Sequence, residues 1–146
     1  MSRTTDMRRR LLRLVTTAVA VLSVSAPLLA HHANAVFDVG KRITVTGTVT
    51  EWFWANPHCL LRVDVKGDNG QIVRWVGETQ APPNVIPWGW SKQSFKPGDE
   101  VTITLEPVKN GQPLGRLLQA VLSNGKTLVA GASAAAVVGV TGGSRP

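Results

Sequence analysis

The chain has 146 residues, of which 43% are hydrophobic and 17% charged, a composition that allows one globular domain with appendages. Its formal charge of +7 falls to +3 without the first thirty residues, which hold five of the sixteen basic residues and one of the nine acids. The formal charge therefore says little about binding partners, and nothing in the remaining sequence resembles a basic nucleic-acid surface. Cys59 is the single cysteine, so an internal disulfide is excluded and the domain must be stabilised by its core.

Residues 1–30 are typical of a secretory signal peptide. Five arginines precede an apolar run from Leu14 to Leu29, the order of charge and hydropathy that export requires. Cleavage after Ala30 would make His31 the new N-terminus, whereas cleavage after Ala35 would remove it. Retention of the segment would instead anchor the protein to the inner membrane. We therefore expect an exported protein of the periplasm or cell envelope, with the cleavage site and the export route left open.

Two strands that meet at a corner organise the rest of the chain. Apolar residues alternate with threonines from Ile43 to Thr50, and alternation resumes from His58 to Lys66. This period of two indicates half-buried strands. Between them Asn56-Pro57 removes a backbone donor and disfavours helix, so the ladder must break there. Gly47, in the middle of the first strand, marks a bend.

Four further strands are predicted at residues 71–78, 101–106, 116–123 and 127–129, separated by turn sequences such as Asn-Gly. The segment between the third and fourth strands contains Pro82, Pro83 and Pro87, which allow a short helical turn with Asn84 as its N-cap but not a long helix. From Gly131 onward the composition indicates a loose tail.

Three strands, a short helical connection and two more strands form the element order of the OB-fold. The prediction is therefore an all-β domain with a short helical connection, a small OB-like Greek-key barrel. A small open β-sandwich is the alternative, because periodicity does not establish closure of the sheet. The expected organisation is a signal peptide at 1–30, an N-terminal segment at 31–40, the barrel at 41–130 and a disordered tail at 131–146.

A set of spaced motifs resembles a family of small exported bacterial proteins of unknown function. The matching residues run from the histidine pair to the last strands: His31-His32, Phe37-Asp38, Gly47-Thr48-Val49, Asn56-Pro57-His58, Gly89-Trp90 and Lys96-Pro97-Gly98-Asp99-Glu100-Val101. The resemblance implies export and a small β-barrel, and it implies no activity. The chain departs from the family pattern at Ala33 and at Cys59.

The three histidines, His31, His32 and His58, suggest a metal site. An N-terminal His31 would offer its amine and imidazole to one ion, and a second imidazole would complete a nitrogen set suited to Cu(II) or Ni(II). Alternatively, His31 and His32 belong to a frayed terminus and His58 merely ends the broken ladder. The first reading predicts a periplasmic copper- or nickel-binding protein.

Tryptophans suggest a different site, for a flat or apolar ligand. The candidate ligand-binding residues are Trp54, Asn56, His58, Trp88 and Trp90. The alternative is that these indoles fill the core of a domain without disulfides. We expect the ligand to be a small molecule or an envelope protein and not nucleic acid, with membrane contact if the signal segment is retained as an anchor.

The chain lacks the sequence patterns of common enzymes. It contains no Ser/His/Asp grouping in a familiar context, no phosphate-binding loop and no HExxH motif. Cys59 shares the parity of Leu61 and Val63, which predicts an inert buried thiol. The sequence therefore favours an exported binding module without catalytic residues.

Overall fold

The computed structural model describes residues 7–10, 13, 36–131, 134–136 and 139. The chain divides into two compact units, Met1–Val36 and Phe37–Pro146, and we call the second the barrel unit. The apolar run Leu14–Leu29 and both N-terminal histidines lie outside the described residues, so the signal peptide stays a prediction. Within the described part, no helix has the length and hydropathy needed to cross a membrane.

The described part of the barrel unit contains six strands and a short helical connection between the third and fourth strands. These are β1 (Ile43–Phe53), β2 (Leu60–Lys66), β3 (Ile72–Glu78), α1 (Pro82–Val85) with a 3-10 turn (Ile86–Trp88), β4 (Glu100–Pro107), β5 (Leu114–Leu122) and β6 (Thr127–Val129). The strand order is β3-β2-β1-β4-β5-β6, and parallel pairing of β3 with β5 closes the first five strands into a barrel. The predicted OB-like barrel is confirmed, and closure excludes the open sandwich.

The long strand β1 is shared between two halves of the barrel. Its residues Ile43–Thr48 pair with β4, and Thr48–Phe53 pair with β2, with a register shift between Val49 and Glu51. Gly47 lies where the two halves meet. A Cβ on this glycine would lie 2.3 Å from the carbonyl oxygen of Asp64. The irregularity therefore follows Val49, and Gly47 serves to let the β2 backbone approach β1 closely.

The core is enclosed by inward side chains of the strands and by the helical connection. Its largest members are fully buried: Trp90, Leu61, Ile103, Leu105, Leu117, Leu128, Val49, Val63, Val85 and Val101. All buried apolar residues of the described chain fall between Phe37 and Ala135. The described part of the barrel unit thus contains a core of its own.

The helical connection differs from its predicted form in one detail. The N-cap of α1 is Ala81, with no side-chain hydrogen bond, and Asn84 lies inside the helix. Pro82 and Pro83 occupy the first helical positions, where a missing N–H has no cost. The helix therefore begins at the prolines, and the prediction that Asn84 is its N-cap was wrong.

Both ends of the barrel unit are packed more firmly than composition indicated. Ala134 and Ala135 are buried, and the Ala135 N–H donates to the Gly131 carbonyl at 2.9 Å. The predicted disorder is therefore wrong for these residues, because alanine favours helix and is small enough to pack. At the other end, the Asp38 N–H donates to the Pro107 carbonyl at 2.8 Å, which fixes the N-terminal segment to β4.

Candidate functional site

The corner at Asn56–His58 joins β1 to β2, and its residues are exposed. The β2–β3 ladder continues beyond Leu60, since the Thr79 N–H donates to the Cys59 carbonyl at 2.9 Å. His58 lies outside this ladder. The second strand was predicted to begin at His58, and it begins two residues later, at Leu60. The ladder nevertheless holds the corner beside the end of β3.

His58 is oriented by two acceptors at the end of β3. Its Nδ1 atom lies 3.0 Å from the Thr79 carbonyl oxygen and 3.0 Å from Oε1 of Glu78. A carbonyl and an ionised carboxylate can only accept, so Nδ1 must carry the proton. In the neutral ring Nε2 is then unprotonated and is available as an acceptor or ligand. The half-exposed His58 therefore presents one defined nitrogen outside the ladder.

Glu78 is a neighbour of His58 that the sequence analysis did not single out. It pairs with Leu60 across the β2–β3 ladder, which places it on the outward side two residues from His58. The hairpin turn at Asn69-Gly70 fixes this register. Counting residues outward from that turn along both strands pairs Leu60 with Glu78. This count was the sequence signal that could have placed Glu78 near His58.

Cys59 follows His58 and points the opposite way, into the barrel. Its side chain is fully buried. Desolvation raises the pKa of the Cys59 thiol, and smaller contributions from the Ala55 carbonyl and the Thr79 hydroxyl lower it. A buried thiol with a raised pKa is a poor nucleophile and a poor metal ligand. The geometry thus matches the inert thiol that strand parity predicted.

An aromatic cluster lies behind the corner. The ring of Trp52 is 5.7 Å from Trp90, 5.2 Å from Phe95 and 5.5 Å from Trp54, measured between centroids. The Trp52 Nε1–H donates to the Ser91 carbonyl at 3.0 Å. Trp54 is half-buried at the edge of this cluster. The cluster therefore connects the core to the chain segment that ends in Asn56 and His58.

Trp88 and Trp90, predicted together as ligand-binding residues, occupy different environments. Trp90 is 2% exposed and its Nε1–H donates to the Val129 carbonyl at 2.7 Å, so it is a core residue. Trp88 is 40% exposed on the 3-10 turn. A Cβ on Gly131 would lie 3.9 Å from Nε1 of Trp88, so the nitrogen edge of its indole is turned toward Gly131. Of the five predicted residues, Trp54, Asn56 and His58 share one short segment.

The predicted metal site has one described member. His31 and His32 lie outside the described residues. Within residues 36–131 and the short described stretches around them, no group of three His, Cys, Asp or Glu side chains is placed to hold a metal ion. His58 is thus the one histidine of the barrel unit.

Comparison with known proteins gives one family match. A sequence model described as "Family of unknown function (DUF6152)" matches residues 18–117, which extend from before the barrel unit into β5. No curated protein and no solved structure matches the chain. The match covers more than half of the chain.

Proposed function

This chain belongs to the DUF6152 family of unknown function, and from that premise we propose that it is an exported binding module of the cell envelope, not an enzyme. Its ligand, a small molecule or a partner protein, binds at the corner formed by Trp54, Asn56 and His58. The carrying observation is the orientation of His58, whose Nδ1 is held by Thr79 and Glu78.

An imidazole held in this way is preorganised for recognition. The Nε2 lone pair accepts a hydrogen bond from a ligand donor without the entropy cost of ordering the ring. The exposed amide of Asn56 adds a donor and an acceptor two residues away. The half-buried indole of Trp54 adds apolar surface. A ligand with a hydrogen-bond donor for Nε2, a second polar group for the Asn56 amide and an apolar face for Trp54 satisfies all three groups.

The same neighbourhood lacks an activated nucleophile among the described residues. The Cys59 thiol is buried and its pKa is raised. Thr79 is buried, and its hydroxyl donates to the Gln80 carbonyl at 2.9 Å. A histidine base without a nucleophile in reach supports binding better than covalent catalysis.

Copper or nickel binding is the alternative. It would join Nε2 of His58 to the terminal amine and imidazole of His31, with His32 beside it. Since the barrel unit supplies one imidazole, this function requires cleavage after Ala30 and a terminus that reaches the corner. We place it second for that reason.

The test is a titration of isotope-labelled protein with phenol, indole, acetamide and guanidinium as probes, followed by NMR. We expect shifts at the Asn56 amide, the His58 ring and the Trp54 indole, and their loss in His58→Gln. The amide of Asn124, an exposed turn residue, is the control and should not shift when a probe is added. Shifts that persist in His58→Gln, or an absence of shifts at the corner, would contradict the proposal.

A separate titration with Cu(II) compares chains that begin at His31 and at Val36. If the chain that begins at His31 binds Cu(II) tightly, and if both the Val36-initiated chain and His58→Gln lose this binding, the copper-binding alternative is favoured.

A further inference from the structure

The 3-10 turn Ile86–Trp88, which we call the display turn, is fixed at both ends. Val85, immediately before it, is fully buried. Gly89, immediately after it, adopts φ 84°, and its N–H donates to the Ile86 carbonyl at 3.0 Å. Trp90 then enters the core. The display turn is therefore a rigid projection between two buried anchors.

The side chains on this rigid projection are apolar and exposed. Ile86 is 55% exposed and Trp88 is 40% exposed, and Pro87 between them is also exposed. Neither the core nor the His58 corner uses Ile86. An ordered turn that holds two large apolar side chains in solvent is typical of an interaction surface.

The sequence around the display turn is basic and free of acids. No acidic residue occurs between Glu78 and Asp99, and none occurs after Glu106. Lys92 and Lys126 are both exposed. Strand β6 passes next to the turn, since a Cβ on Gly89 would lie 3.7 Å from Leu128. Lys92 thus follows Trp88 by four residues, and Lys126 lies two residues before Leu128, the β6 residue next to Gly89.

We propose that the display turn docks the barrel unit on an anionic phospholipid surface. Ile86 and Trp88 enter the interfacial region, where an indole is favoured because one end is apolar and the other polar. Lys92 and Lys126 face the anionic headgroups, whose field attracts nearby basic side chains. This binding is separate from the proposed ligand site at His58.

The size of the apolar surface favours a bilayer over a protein partner. A stable protein interface buries about 800 Å² on each partner. A whole Trp side chain buries at most about 250 Å², and the display turn exposes part of one Trp and part of one Ile. A second copy of this chain would therefore gain too little contact, whereas an interfacial anchor needs only a few apolar side chains with basic neighbours.

The test measures binding of the chain that begins at Val36, which holds the whole barrel unit, to vesicles of phosphatidylglycerol with phosphatidylethanolamine. We expect Trp88→Ser and Ile86→Ser each to lower the partition coefficient at least about fivefold. The matched control is Ile72→Ser, because Ile72 is 67% exposed but begins β3 at the end away from the display turn. This control should change binding less than about twofold. Lys92→Gln and Lys126→Gln should weaken binding to these vesicles and leave the weaker binding to phosphatidylcholine unchanged.

A second measurement does not depend on the folding of the serine variants. Brominated lipids should quench tryptophan fluorescence of the wild type, and Trp88→Phe should remove most of that quenching. His58→Gln should bind vesicles like the wild type, which separates this surface from the ligand site. The proposal is wrong if the wild type does not bind, if Ile72→Ser loses as much binding as Trp88→Ser, or if Trp88→Ser abolishes self-association instead.

Discussion

Nδ1 of His58 lies 3.0 Å from Oε1 of Glu78, so a residue of the β1–β2 corner is held by the last residue of β3. The Thr79 carbonyl at the same distance makes a second acceptor for the same nitrogen. This relationship determines which nitrogen of the His58 ring is left for the proposed ligand, and the first prediction concerns that nitrogen.

We predict that neutral His58 carries its proton on Nδ1. Both neighbouring groups accept hydrogen bonds, so the opposite tautomer would leave lone pairs facing one another. Long-range proton–nitrogen NMR spectra at alkaline pH should show an unprotonated Nε2, with the signal assigned by its loss in His58→Gln. Detection of a protonated Nε2 in the neutral ring would contradict the acceptor role that we propose for His58.

Gly47→Val should destabilise the protein although β-propensity favours valine by up to about 1 kcal/mol. Any Cβ at this position meets the Asp64 carbonyl at 2.3 Å, and a backbone oxygen cannot rotate away. We expect a loss of at least about 2 kcal/mol in the free energy of unfolding, measured with urea.

Gly67→Ala is the matched control for this substitution. Its Cβ would meet the side-chain oxygen of Asn69 at 3.2 Å, a contact that a small shift relieves. A change below about 1 kcal/mol is expected there. Equal losses at Gly47 and Gly67 would argue against the close approach of β2 to β1.

Trp90→Ala should cost about 3–5 kcal/mol of unfolding free energy, as expected for a buried indole. Trp88→Ala should cost less than about 1 kcal/mol, since surface substitutions rarely cost more. The two residues are separated by one glycine, so chemical denaturation of both variants is a close comparison. A large loss for Trp88→Ala would show that its exposed indole supports the fold.

Cys59 should make the protein less stable at alkaline pH. Burial raises the pKa of the folded thiol, so the unfolded chain releases its proton first, near pH ~8.5. The stability contributed by the neutral thiol is complete below that pH and is lost as pH rises toward the folded pKa. The urea midpoint should therefore fall more steeply above pH ~8.5 in the wild type than in Cys59→Ala.

Thiol modification provides an independent measurement for Cys59. The folded protein should react slowly with a disulfide reagent, because its thiol is buried and protonated. Urea should raise the rate sharply. Rapid modification of the folded protein would show that the corner opens and exposes the thiol.

Much of the architecture followed from the sequence, because its signals are local. Alternation with a period of two located the strands, and the sixth strand was predicted with its observed bounds, Thr127–Val129. The proline cluster at Pro82–Pro87 correctly limited the connection to a short helical segment. These features depend on neighbouring residues, which the sequence displays directly.

Closure of the barrel and the surroundings of each candidate residue required the tertiary structure. Trp88 and Trp90 look alike in the sequence, yet the core takes Trp90 because β6 offers it the Val129 carbonyl. His58 acquires its orientation from Glu78 and Thr79, about twenty residues away, through the β2–β3 register. The sequence pattern indicated where the strands run, and the residue types indicated which side chains are chemically active. Which of them meet was decided by strand pairing and by closure of the barrel, because contacts between residues distant in sequence exist only after the strands have paired in one register.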